Sequence, residues 1–360
     1  MATIFVIFLG WILTKKQKFK PTWDVVFIKV LVTLGLPCLV FDGFMSDTSV
    51  EQVKTECAVL LTGFLFYLIM LVIARYFYLQ YDKDVQDALG MSMTFAATSF
   101  FGIPIVTALF PGSESKIASN IFNVPYHIFL YSLGFIIMGK VNHPVHISTD
   151  QPVKAVNKFV YVGQMLKLNY KKIFFNPILI ATIIGFIFWV TQLIPGINVV
   201  PDQIKNSSAK YSPLRLDNTF PPLFTVTKTL AGVCTPLAWL AIGINLAKGK
   251  ITHILKDPKV WYGTIMKTLI APVIGLGLTC LVALIGKATG AWTTSTMGLT
   301  IIVIMLAAPP ASVIVAYSIN FNKETLLTSN LTLVSTLISI IALPFWIIIT
   351  TALGATSLFS

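Results

Sequence analysis

The amino-acid sequence predicts an all-α polytopic membrane protein: ten transmembrane helices arranged as two inverted five-helix repeats, with broken helices in spans four and nine. Three observations carry this. Of the 360 residues, 56% are hydrophobic and 11% charged, against about a quarter charged in soluble domains. Long apolar runs with few charges recur along the whole chain, the pattern of membrane-spanning helices. And a set of landmarks in the first half returns, in the same order, in the second.

The spans follow in order. MATIFVIFLGWIL is apolar and precedes Lys15, Lys16, Lys18 and Lys20. A signal peptide carries its charge before the apolar core, so this reads as a first span ending in the cytoplasm. It is short against the roughly 17–25 residues a span needs. Packing against neighbours and residues missing upstream both account for that. The second span covers about Val25 to Phe44, with a break at Pro37, and the third Cys57 to Leu79. The fourth, Ala88 to Phe110, holds SFFGIP, where Gly102 and Pro104 predict a helix break. The fifth runs from Ile117 to Met138 and closes the first repeat, residues 1–138.

Residues 139–175 form a basic loop with six lysines against Asp150. Its second half interleaves lysines with Phe159, Val160, Met165 and Leu166, as an amphipathic helix on the membrane surface would. A solvated linker is the alternative. The second repeat, 176–360, opens at Asn176-Pro177 with a sixth span to Leu193. A polar stretch to Phe220 contains Asn206-Ser207-Ser208, a glycosylation sequon only in a eukaryote. The seventh span, Pro222 to Leu246, has a break at Pro236, and the eighth runs from Val260 to Ile285. The ninth is broken at Pro309-Pro310 and the tenth ends near Thr350. Two prolines cannot sit in an ordinary helix interior, and in hydrocarbon such a break survives only where it is buried in protein or lines a cavity. A mid-membrane binding site and a kinked structural helix both satisfy that condition.

The charges orient the chain. With the N-terminus outside, seventeen Lys and Arg fall in cytoplasmic loops and six in outer loops, while Lys29, Lys228 and Lys267 lie within spans. The positive-inside rule therefore places both termini outside and the long loop inside. The net charge of +12 reports this topology and not a nucleic-acid partner. Cys38, Cys57, Cys234 and Cys280 lack CxxC spacing and read as small apolar residues. His127, His143, His146 and His253 form no metal constellation. There is no GxSxG, Walker loop or HExxH, so the sequence predicts neither an enzyme nor a resident cofactor or metal.

The repeat is visible in the residues. Lys29 precedes Pro37 by eight positions, as Lys228 precedes Pro236, and Leu31 matches Leu230. Pro104 corresponds to Pro310, and Ser119-Asn120-Ile121 to Ser329-Asn330-Leu331. The offsets drift from 199 through about 206 to 210. Five spans per half is an odd number, so the second half lies inverted. Inverted repeats with facing broken helices are the pattern of an alternating-access carrier.

SFFGIPIVTALF, KKIFFNPILIATIIGFI, LAAPPASVIVAYSI and LTLVSTLISIIALPFW resemble the auxin efflux carrier superfamily, in its order and span positions. The short central loop is similar to its compact bacterial branch, the malate permeases. The resemblance implies an elevator fold like that of sodium–proton antiporters and bile-acid transporters, in a cell membrane. Spans one, two, six and seven would be the scaffold, spans three to five and eight to ten the moving domain. It implies small organic carboxylates such as malate or lactate as substrate, contact with membrane lipids, and allows a homodimer through the scaffold. Many relatives carry Asn five residues before the Gly of span four. Here that position is Ala97, followed by Thr98 and Ser99, whose hydroxyls are expected to take over.

The expected contacts are Thr98, Ser99, Gly102, Ile103, Pro104, Pro309, Pro310, Ala311 and Ser312 at the two breaks. Asn120, Asn330, Ser335 and Thr336 add polar groups from spans five and ten, where interhelical bonding is an equal use. Lys29, Lys228 and Asp42 are candidate charge partners. Each lysine sits about two turns into its span, within snorkelling reach of the headgroups, and Lys267 reads as another interface lysine. No residue stands out as a carrier of H+ or Na+, so coupling stays open. A cation-coupled bile-acid-type carrier and a ligand sensor that keeps the carrier fold are the competing functions.

Overall fold

The structure is a computed structural model describing residues 2–140, 175–201, 210–248 and 256–359. The protein is mostly helical. In chain order the helices are α1 (Ala2–Lys15), α2 (Trp23–Phe44), α3 (Val50–Tyr78), α4 (Lys83–Thr94), α5 (Thr98–Leu109) and α6 (Ser113–Gly139). After the basic loop follow α7 (Pro177–Thr191), α8 (Pro221–Lys248), α9 (Pro258–Thr289), α10 (Thr296–Ala307), α11 (Ser312–Asn320) and α12 (Thr325–Gly354). A two-stranded ribbon pairs Val200–Pro201 with Lys210–Tyr211 before α8. Among the described residues, six helices are long and apolar enough to cross a membrane: α2, α3, α6, α8, α9 and α12. The chain is thus an all-α polytopic membrane protein. The expected amphipathic helix and the sequon lie outside the described residues.

The helix starts are written in the sequence. Ser49, Asn176, Asp257 and Ser295 each accept a hydrogen bond from a first-turn N–H of α3, α7, α9 and α10, the role of an N-cap. Proline occupies the first turn of α7 and α9, where its missing N–H costs nothing. Gly290, at φ +68°, ends α9 in the left-handed conformation, which suits a residue without a Cβ.

Two prolines behave differently from expectation. Pro37 and Pro236 do not break their helices. α2 runs through Pro37, with a wider π turn at Leu31–Gly35 just before it, and α8 runs through Pro236. Local widening and close neighbours supply what the missing N–H removes. Pro125 in α6 and Pro344 in α12 are absorbed in the same way.

The packing falls into two groups. α1 lies along α8, and α2 lies against α7 and α8. Small residues make the first contact close: a Cβ on Gly243 would sit 2.1 Å from the carbonyl oxygen of Ile7, the small-residue packing favoured between membrane helices. In the other group α3 packs on α6 and α9, while α9, α10 and α12 pack on one another. α10 is enclosed, with Leu299 and every residue from Ile301 to Ala307 fully buried.

Charged clusters close the ends of these groups. The Lys323 ammonium lies 3.0 Å from Asp87 and 3.4 Å from Asp84 and donates to the Lys140 carbonyl at 3.0 Å. It thereby ties α4, the end of α6 and the α11–α12 turn together. Arg215 is buried in a second cluster, bidentate to Asp217, 2.6 Å from Asp47 and 3.2 Å from Gln192.

Candidate functional site

The breaks in spans four and nine meet. Between α4 and α5 the chain is extended at Phe95 and Ala96, and between α10 and α11 it is extended from Ala308 to Ala311. The two segments pair antiparallel at Ala96 and Pro310. Ala97 N–H donates to the Pro309 carbonyl at 2.7 Å, and Ala311 N–H to the Phe95 carbonyl at 2.9 Å. Pro310 has no N–H to satisfy, so the pairing leaves no orphan donor there. Ala97 then turns the chain at φ −76°, ψ 56°, with Thr98 N–H donating back to the Ala96 carbonyl at 2.8 Å. That is an inverse γ-turn.

This moves the break in span four. It lies at Phe95–Ala97, and not at Gly102–Pro104 as SFFGIP suggests. Gly102 and Pro104 sit inside α5, Gly102 as the last residue of a π turn over Thr98–Gly102 and Pro104 just after it. The physical reason is the same tolerance of proline near a helix start. Gly102 has a packing task instead, since a Cβ there would come 2.4 Å from Met305 Sδ in α10.

Each break leaves a helix N-terminus. The Ser99 and Phe100 N–H groups open α5, and those of Ser312 and Val313 open α11. None has a backbone acceptor among the described residues. Such termini carry about half a positive charge each. A cavity of about 70 Å³ lies beside them, several times the space one water needs. Ala97, Phe100, Pro309, Pro310 and Ser312 form its floor. Ile28 and Leu31 of α2, with Ala238, Ala241 and Ile242 of α8, form the facing wall. Thr332, Leu333 and Thr336 of α12 close a side. The Thr332 and Thr336 hydroxyls donate to their own helix, to Thr328 and Thr332 carbonyls. The donors left for a ligand are therefore helix-terminal amides and Ser312.

The remaining expected residues are dispersed. Thr98 and Ser99 are buried at the start of α5, with Ile103 and Pro104 buried behind them. Ala311 is buried at the crossing. Asn120 packs on α2, with Nδ2 3.5 Å from the Val40 carbonyl. Ser335 donates to Thr264 of α9, and Asn330 is half-buried away from the cavity lining. Asp42 pairs with Lys116 at 3.6 Å. Lys29 and Lys228 are exposed on α2 and α8.

A model of the membrane transport protein family matches residues 1–347. The chain belongs to this family, that of the auxin efflux carriers. It is a membrane transporter and not an enzyme. An uncharacterized transporter of Methanothermobacter thermautotrophicus is similar, 21% identical over 326 residues that cover 89% of this chain and 87% of that one.

Sequence reasoning misplaces one lysine of this transporter. Lys267 is not an interface lysine: it is fully buried, and its Nζ donates to the Met93 carbonyl at 3.1 Å. α9 begins at Pro258, which puts Lys267 about 14 Å along the helix at 1.5 Å per residue. That depth is beyond easy snorkelling. The Lys267 Nζ satisfies a carbonyl at the C-terminal end of α4, one of the two half-helix C-termini at the crossing. At the other, Ser339 donates to the Ala307 carbonyl at 3.1 Å.

Proposed function

We propose that this protein is a secondary active transporter that moves small organic carboxylate anions of the malate or lactate type by alternating access at the crossing. The observation that carries the reading is the pair of half-helix N-termini, at Ser99–Phe100 and Ser312–Val313, beside one cavity. Together they amount to about one positive charge, enough to counter one carboxylate. Lys267 and Ser339 donate to carbonyls at the two half-helix C-termini, which leaves the N-terminal amides as the groups free for an anion. The rest of the lining is apolar and accepts a short carbon chain.

The proposal includes ten spans. To the six long helices it adds α1, α7 and the broken pairs α4–α5 and α10–α11, as two inverted repeats, with both termini outside a cell membrane. The two packing groups support a division into a scaffold, α1, α2, α7 and α8, and a moving domain of the rest. The cavity lies between α2 and α8 on one side and the breaks on the other, the interface along which an elevator would slide.

The test is uptake of labelled malate and lactate into proteoliposomes under imposed pH and voltage gradients. Saturable uptake that each acid inhibits is expected. Binding without uptake favours a sensor, and failure to bind any carboxylate overturns the proposal.

A further inference from the structure

One face of α6 is polar, and it is turned toward the other packing group. Lys116 lies 3.6 Å from Asp42 of α2. Asn120, packed on Gly43 of α2, points Nδ2 at the Val40 carbonyl, 3.5 Å away. Further along, His127 Nδ1 is 2.9 Å from the Thr182 hydroxyl of α7, and Tyr131 meets Asn176, the N-cap of that helix. Thr182 gives its own hydrogen to the Ile178 carbonyl at 2.7 Å, so it accepts from His127. Each of these contacts joins α6 to α2 or α7, across the boundary between the two groups of helices.

Some polar groups on this face are not used. Asn123 and Ser119 follow His127 toward the start of α6 at spacings of four, so they share its side of the helix. Both are fully buried, and neither end of the Asn123 amide nor the Ser119 hydroxyl has a hydrogen-bond partner among the described residues. Buried polar atoms are nearly always paired. A spare amide one turn from a used imidazole is accounted for when the helix has a second position. Moving α6 along its axis by one turn, about 5.4 Å, with its C-terminus leading, brings Asn123 to Thr182, His127 to Asn176 and Lys116 to the Val40 carbonyl. Donors then still come from α6 and acceptors from its neighbours. The opposite shift sets Val124, which has no donor in its side chain, against the Val40 carbonyl and carries Asn123 away from Thr182.

We propose that this face is a ratchet between the moving domain and the scaffold: Asn123, and Ser119 one turn further, take over the Thr182 hydroxyl from His127 as α6 slides past α7. This rests on the transporter reading and its division into scaffold and moving domain. Packed elements pass one another in steps of a whole turn, because only there do their side chains come back into register. Hydrogen bonds between membrane helices contribute modestly, so exchanging one set for another keeps the two positions close in free energy. Asn123 acts on the movement and not on the ligand, since no α6 residue lines the cavity.

The experiment uses the full-length protein without its native cysteines, in proteoliposomes, with mercuric ion as the bridge between paired thiols. Thr182→Cys is combined in turn with His127→Cys, Asn123→Cys and Phe122→Cys, the last at a position turned to Gly63 of α3. The His127 pair should bridge at once. The Asn123 pair should bridge more slowly, yet at least tenfold faster than the Phe122 pair, and a rate no higher than that control overturns the ratchet. Asn123→Leu alone should slow carboxylate uptake tenfold or more while carboxylate affinity stays within twofold. Uptake at the wild-type rate, or a loss of affinity as large as the loss of rate, overturns it as well. Bridging needs no substrate: a wild type that takes up no carboxylate defeats the transport reading, while the cross-links still decide the movement.

Discussion

Lys267 and Met93 are joined across the crossing: the lysine Nζ, with no exposure, donates to the methionine carbonyl at 3.1 Å, at the end of the half-helix that leads into the break. That bond has two consequences, one for stability and one for ligand binding. Lys267→Met keeps the length of the side chain and removes the bond. It should destabilise the protein by about 1–3 kcal/mol, the cost of a buried carbonyl left unpaired, and weaken carboxylate affinity tenfold or more. Thermal unfolding in detergent and equilibrium binding check the two arms, and a variant unchanged in both removes Lys267 from the account of the site.

The bond from Ala97 to the Pro309 carbonyl exists because the chain is extended on both sides of the crossing. Pro309→Ala with Pro310→Ala allows α10 to continue as a regular helix and withdraws the Ser312 and Val313 amides. Transport should fall a hundredfold or more, with thermal stability retained. Uptake at the wild-type rate by the properly inserted double variant would make the break structural only.

How much of this was legible is clearest at the two breaks. Pro309-Pro310 marks its own, because two successive residues without N–H exclude a helix interior. Phe95–Ala97 carries no such mark. Its extended backbone is imposed by pairing with a segment more than two hundred residues away, and the nearby Gly102 and Pro104 draw attention to the wrong turn. Lys267 reads as an interface lysine in the sequence because depth in a membrane depends on where a helix begins and what faces it, and the Met93 carbonyl is a tertiary partner. Pro37 and Pro236 read as breaks in the sequence and are none in the structure for the same reason: neighbours decide whether a helix survives a proline. The apolar runs, which are local, are sufficient to locate the helices themselves.

The Arg215 cluster gives an asymmetric prediction. Arg215 is buried, while Asp47 is 81% exposed and Asp217 mostly buried. Asp47→Ala should cost less than about 1 kcal/mol, as exposed ion pairs do. Arg215→Ala leaves the buried Asp217 carboxylate without its bidentate partner and should cost about 3–5 kcal/mol. Unfolding of the two variants in parallel checks the difference, and equal losses contradict it.

Orientation can be read with cysteines on exposed ends of the described helices. In a background free of the four native cysteines, Thr289→Cys should react with a membrane-impermeant thiol reagent added outside. Lys83→Cys should react only after permeabilisation. The reverse pattern overturns the topology drawn from the seventeen-to-six split of basic residues.

The last prediction separates helix termini from side-chain charges as the anion's partners. Lys29 and Lys228 are exposed on α2 and α8 and do not line the cavity, although their helices supply its wall. Their positions about two turns into the spans let the long stems carry the ammonium groups toward the headgroups. A lysine that contacted the ligand would leave a buried carboxylate poorly compensated on removal, a cost of several kcal/mol. Helix-terminal amides have no such single point of failure, because Ser99, Phe100, Ser312 and Val313 share the charge. Lys29→Met and Lys228→Met should therefore weaken carboxylate binding tenfold at most, about 1.4 kcal/mol. Ser312→Leu, which crowds the mouth of α11 and removes the one cavity-lining hydroxyl not spent on its own helix, should do more damage than either. Equilibrium binding to the three purified proteins decides the matter: a hundredfold loss in a well-folded lysine variant would make that lysine the counter-charge and reduce the termini to scaffolding.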